Sequence, residues 1–133
     1  MKNLIITIII SCAALFSNAQ NTLTIEITNL KTNNGTVYVD LKNDQEKSFK
    51  KVRGTVTNNV CTLEITDIPT GTYAITYYHD ENDNGQIDTG MFGKPEEGYG
   101  YSNDARGFMG PADFEDQLFE IKSDLNISLK TVQ

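Results

Sequence analysis

Val60-Cys61-Thr62-Leu63-Glu64-Ile65-Thr66 alternates strictly, with Cys61, Leu63 and Ile65 on one side and Thr62, Glu64 and Thr66 on the other. Successive side chains of a strand point to opposite faces, so a period of two marks a strand with one face in a core. The same texture recurs upstream: Leu23, Ile25 and Ile27 alternate with Thr24, Glu26 and Thr28, and Val37, Val39 and Leu41 with Thr36, Tyr38 and Asp40. Thr32-Asn33-Asn34-Gly35 between them is a turn, because Asn and Gly tolerate positive φ. Lys42 to Lys47 is polar and reads as a loop, and Asn58-Asn59 turns the chain into Val60. Phe49 to Arg53 reads as a short edge strand, where Lys47, Lys50, Lys51 and Arg53 deter pairing with other sheets. Asp67 to Gly71, with Pro69 and Gly71, reads as another turn, followed by a Tyr-, Ile- and Thr-rich strand from Thr72 to Tyr78. Gln117, Phe119 and Ile121, then Leu125, Ile127 and Leu129, close the pattern; Asp113 to Leu118 fits a single helical turn.

No stretch has a sustained helical period, and there is no internal repeat. About seven strands in one domain predict an all-β fold, a single antiparallel β-sandwich of immunoglobulin-like or transthyretin-like kind.

The N-terminus reads as an address. Lys2 gives a positive start, Leu4 to Phe16 is almost continuously apolar, and Ser17-Asn18-Ala19 is a small-residue cleavage site. That layout predicts a cleaved signal peptide over residues 1–19 and a domain over 20–133. The apolar run is short of the roughly 20 residues that span a bilayer, so the expectation is an exported protein, periplasmic or extracellular. Ile10-Ser11-Cys12 loosely resembles a lipobox, but cleavage there would leave a very short apolar region, so lipid anchoring through Cys12 is set aside.

The chain carries a formal charge of -7. An acidic surface argues against nucleic acid and anionic membrane as partners and suits cation binding. Beyond the leader the one cysteine is Cys61, which rules out an internal disulfide; its phase with Leu63 and Ile65 predicts a buried small hydrophobe.

From Asp80 to Pro111 the texture changes to a long segment rich in Gly, Asp and Asn, of the kind that often carries function. Its first part is Asp80-Glu81-Asn82-Asp83-Asn84-Gly85-Gln86-Ile87-Asp88. Oxygen-bearing side chains at alternate positions, then Gly, then Asp88, match the first nine positions of an EF-hand-type calcium loop. Calcium takes roughly six to eight oxygen ligands. Asp80, Asn82, Asn84 and Asp88 would supply side-chain oxygens and Gln86 a carbonyl, while Gly85 permits the sharp turn and Ile87 anchors the loop. The position of the usual bidentate Glu is Met91, and the segment follows a strand instead of a helix, so this is no EF-hand. Glu96 or Glu97, further along, would complete the set. The competing reading of the same residues is a polar loop held by Asx-turns without metal.

Glu96 and Glu97 invite an acid/base reading with His79, but neighbours on a strand point apart, and a lone His is a weak nucleophile or zinc candidate. No catalytic residue is assigned. Tyr99, Tyr101 and Phe108 form a candidate stacking platform for a glycan or peptide, against ordinary packing across a sheet.

Three stretches together carry a family likeness. They are Gly71-Thr72-Tyr73-Ala74-Ile75 with the His79–Asp88 segment, then Gly93-Lys94-Pro95-Glu96-Glu97-Gly98-Tyr99-Gly100-Tyr101-Ser102-Asn103, then Gly110-Pro111-Ala112-Asp113-Phe114. The chain resembles the uncharacterised exported bacterial proteins of domain-of-unknown-function family 2141, which implies export and this fold but no reaction. Asp67-Ile68-Pro69-Thr70-Gly71-Thr72-Tyr73 is similar to the turn and strand of transthyretin-like and carboxypeptidase-regulatory-like domains, and the Asp80 loop to calcium loops in B-type repeats of bacterial surface adhesins. Those likenesses imply a sandwich stiffened by an ion. The hydroxyisourate-hydrolysing relatives use several His, an Arg and a C-terminal Tyr-Arg-Gly-Ser, whereas this chain has one His and ends Leu129-Lys130-Thr131-Val132-Gln133.

The leading expectation is therefore a non-catalytic envelope or secreted module with a calcium-stabilised loop. A carbohydrate- or peptide-binding module and a hydrolase using Glu96 or Glu97 with His79 are the alternatives.

Overall fold

The computed structural model describes residues 20–133; the expected leader, 1–19, lies outside them. Among the described residues eight strands form two sheets. The first contains β1 (Gln20–Thr28), β4 (Cys61–Pro69) and β8 (Leu125–Lys130), in the order β4-β1-β8. The second contains β2 (Thr36–Asn43), β3 (Ser48–Thr55), β5 (Gly71–Asp80) and β6 (Tyr99–Tyr101), in the order β3-β2-β5-β6. A further strand, β7 (Phe119–Ile121), pairs with the start of β5.

The pairings are antiparallel except one: β1 runs parallel to β8, from Leu23 opposite Leu125 to Thr28 opposite Lys130. Parallel neighbours need a long crossover, and here most of the domain separates the two strands. The period of two specifies which face each residue takes, not which strand lies beside it, so local pattern does not reveal this pair.

The two sheets share one core. Leu23, Ile25 and Ile27 of β1 and Cys61, Leu63 and Ile65 of β4 meet Val37, Val39 and Leu41 of β2 and Tyr73, Ile75 and Tyr77 of β5. Each such side chain contributes about 1.5–3 kcal/mol by leaving water. The alternating residues Thr24, Glu26, Thr62 and Glu64 stay on the outer face.

Boundaries differ from expectation: β3 and β5 extend past Phe49–Arg53 and Thr72–Tyr78, and β6 lies inside the expected Asp80–Pro111 loop. β2 continues through Lys42 to Asn43, where the Asn43 side-chain oxygen accepts the N–H groups of Gln45 and Lys47 (both 3.0 Å) and sets the turn. The expected Asp67–Gly71 turn is mostly strand, since β4 runs to Pro69. Asp67 has φ 58 and the pairing with β1 slips between Asn21 and Leu23, which is a bulge. Pro69 is tolerated because β4 is an edge strand and Pro69 is its last residue. The expected helical turn forms as α1 (Phe114–Gln117).

Burial makes the fold sensitive to alkali. Desolvation lifts the Cys61 thiol from 9.0 to about 11. Burial, partly offset by the hydroxyl of Thr131, lifts the Tyr77 phenol from 10.0 to about 12. Both groups are neutral when protonated and have raised folded values, so their contribution is whole below the unfolded values and is lost as pH rises through the folded ones. Denaturant midpoints are expected to stay level up to about pH 9 and to fall between there and pH 12. A thiol reagent should label Cys61 at neutral pH only after unfolding.

Candidate functional site

The loop begins where β5 ends. Asp80 is still paired with Thr36 of β2, and the residue before Thr36 is Gly35, at φ +82. A Cβ on Gly35 would lie 2.0 Å from the carbonyl oxygen of Asp80, so only glycine lets the two backbones approach this closely. The Asp80 side chain is fully buried. One of its oxygens accepts the N–H of Asn84 (3.1 Å) and the other that of Gly85 (2.8 Å). Gly85, at φ +81, makes the turn its position predicts.

Two Asx-turns follow: the Asn82 side-chain oxygen accepts the N–H of Asn84 (3.3 Å), and that of Asn84 accepts the N–H of Gln86 (2.9 Å). Both side-chain amides then donate to Asp88, from Asn82 at 2.6 Å and from Asn84 at 2.7 Å, one to each carboxylate oxygen. Asp80, Asn82, Asn84 and Asp88 are thus linked in one cluster. Gln86 lies exposed at the rim and Ile87 is half-buried. Asp83, at φ 54, accepts the Thr36 hydroxyl (2.8 Å), and the Tyr78 phenol donates to the Gly85 carbonyl (3.4 Å).

Of the two acids expected to complete the set, Glu97 turns into the loop and Glu96 does not. Glu97 is buried, and its two oxygens accept the N–H groups of Glu81 (2.8 Å) and Asp88 (2.9 Å). It clamps the two ends of the nine-residue segment. Glu96 is exposed and folds its carboxylate over Gly90, while its N–H donates to the Asp88 carbonyl (2.9 Å). The two neighbours point apart, although they lie in a bend before β6 and not in a strand.

His79 is fully buried on the core side of β5. Its Nε2 sits 2.6 Å from the Asn34 carbonyl, which can only accept, so Nε2 carries a proton, and Nδ1 is buried without a partner. No hydrogen bond joins its ring to Glu96 or Glu97.

Tyr99 and Tyr101 share the outer face of β6, with ring centroids 6.1 Å apart in a T-shape. Phe108 stands 94% exposed on the following loop, and its ring stacks on neither. The sequence reading missed a second pair: Tyr38 and Tyr78, directly opposite on β2 and β5, stack at 5.2 Å and 18°. Their outward phase was legible; their register was not.

Among the described residues no three His, Cys, Asp or Glu side chains group as a metal centre. An ion held here therefore needs amide and carbonyl oxygens beside its carboxylates. That donor set suits a hard cation such as calcium and not zinc or copper. The two amide NH2 groups facing Asp88 offer it the partial positive charge that a cation would offer in full.

A family model described as "Uncharacterized protein conserved in bacteria (DUF2141)" matches residues 25–128. The chain belongs to that family. In this DUF2141 domain the matched span runs from Ile25 in β1 to Ser128 in β8, so it takes in both sheets and the whole Asp80 loop. No curated protein and no solved structure matches the chain. No helix among the described residues is long and apolar enough to cross a membrane.

Proposed function

We propose that this protein is a non-catalytic module, exported to the periplasm or exterior, whose Asp80–Asp88 loop is closed by one calcium ion. The observation that carries the reading is the convergence of Asp80, Asn82, Asn84 and Asp88 into one hydrogen-bonded cluster at the end of β5. Charge density supports it. Asp80, Glu81, Asp83, Asp88, Glu96 and Glu97 crowd this segment, with Lys94 as its single base. Among the described residues the one ion pair, Lys122 with Glu120, lies elsewhere. Like charges this close repel, and a divalent cation relieves that repulsion while binding only the folded state. Export rests on the leader-like residues 1–19.

An ion bound at a hundred times its dissociation constant adds about 2.7 kcal/mol, on the order of 10 °C for a domain of this size. Melting curves in chelator and in millimolar calcium should show that rise, and Asp88→Ala should remove it. Coincident curves for the unmutated protein would refute the reading.

A further inference from the structure

The outer face of the second sheet carries an arrangement that the ion loop does not use. Cross-strand register sets Arg53, Tyr38, Tyr78 and Tyr99 in one row over β3, β2, β5 and β6. Lys51, Asp40, Thr76 and Tyr101 form the next row. Between β3, β2 and β5 lies a depression of about 350 Å³, walled by Tyr38, Tyr78, Asp40, Thr76, Lys42 and Lys51. That volume is at the lower end of small-ligand sites, roughly 300–1,000 Å³.

The charge here is opposite to that of the molecule. Among the described residues Lys42, Lys51 and Arg53 have no carboxylate within ion-pair distance. The one acid among them, Asp40, accepts the Ser48 hydroxyl at 2.6 Å. Charges beyond roughly 8 Å are screened at physiological salt, so a ligand in the depression meets these cations before it meets the net charge of -7. The far side is different, because Tyr78 bonds to Gly85 in the acidic loop. The surface is therefore basic at β3 and acidic past Tyr78. A long polyanion would run from attraction into repulsion, which disfavours nucleic acid. An extended peptide would more readily pair along the open edge of β3 than lie across the strands.

We propose that this face binds a short acidic oligosaccharide. The apolar C–H faces of the sugar rings pack on the Tyr38 and Tyr78 rings that wall the depression, and its carboxylates meet Lys42, Lys51 and Arg53, on the side away from the acidic loop. Phenol rings supply rigid contact area with a polar edge, and a guanidinium pairs with a carboxylate through two parallel bonds. The site touches the Asp80 loop through the Tyr78 phenol, which donates to the Gly85 carbonyl, but it does not require the ion proposed there.

The test is calorimetric titration with digalacturonate in the presence of chelator, so that no calcium bridges sugar and loop. Saturable binding is expected, weakening with salt and with methyl esterification of the sugar. Lys51 and Arg53 are exposed, so Lys51→Ala with Arg53→Ala should leave the fold intact and weaken binding at least about tenfold. Tyr38→Ala should weaken it comparably, and Tyr38→Phe should restore it. Absence of saturable binding, binding unchanged in the Lys51/Arg53 variant, or equal binding of diglutamate or a thymidine dinucleotide would each overturn the proposal.

Discussion

Gly35→Ala should lower the unfolding free energy by about 2–5 kcal/mol, the sum of two separate costs. A left-handed conformation costs an L-residue about 1–2 kcal/mol. The new methyl would also lie 2.0 Å from the Asp80 carbonyl oxygen, well inside contact distance, and that oxygen is backbone and cannot swing aside. Separating the strands here would cost a further ~1–3 kcal/mol. The damage should be local in origin, since Thr36 opposite Asp80 is where β2 begins and β5 ends. Urea unfolding reads the loss directly. Gly85→Ala is the informative comparison: its φ is +81, but the added methyl would meet no atom within 4 Å. It should show only the conformational cost, about 1–2 kcal/mol. Equal effects at both sites would mean that the close approach of Gly35 to Asp80 is not formed.

Asp80→Asn should cost about 2–3 kcal/mol in chelator, before any ion is considered. Two effects oppose. Asparagine is easier to bury than a carboxylate, which favours the variant. Against that, Asp80 accepts two backbone N–H groups, one on each oxygen. Asparagine keeps one oxygen and turns an NH2 toward the other donor, leaving a part-buried N–H facing hydrogen. Hydrogen bonds to a charged group contribute about 1.5–3 kcal/mol each, so the loss outweighs the gain. Asp83→Asn keeps an oxygen for the Thr36 hydroxyl at an exposed position, and should change stability by less than about 0.5 kcal/mol. Calcium should then raise the stability of Asp83→Asn and leave Asp80→Asn where it was.

How much could be read in advance follows from what is local. The strands around Leu23, Val37, Cys61 and Thr72 were legible because one face of each is buried, which stamps a period of two on the residues. The pattern from Asp80 to Gly85 was legible because a tight loop places its side-chain oxygens through consecutive backbone turns. The side-chain bonds of Asn82 and Asn84 to residues two further on are of that kind. β6 was hidden in Gly-rich sequence because three residues carry little pattern, and its pairing with Tyr77 is tertiary. The choice of Glu97 over Glu96 depends on which of two neighbours faces inward, a matter of one residue of register. The Tyr38–Tyr78 stack needed the pairing of β2 with β5, which no local spacing records. Pro69 misled for a similar reason: it reads as a turn residue, yet it closes an edge strand.

The claim on which the functional account rests is that the Asp80 loop gathers its oxygens around one hard cation. The chain has no Trp, so Tyr is the available sensitiser, and the Tyr78 phenol bonds to Gly85 within the loop. Terbium, a luminescent stand-in for calcium, is therefore the sharpest probe. Excitation of tyrosine should produce terbium emission that saturates at one ion per chain, is displaced by calcium, and is lost in Asp88→Ala. Emission that never saturates, or that calcium leaves unchanged, would contradict the ion and leave a loop held by its own hydrogen bonds.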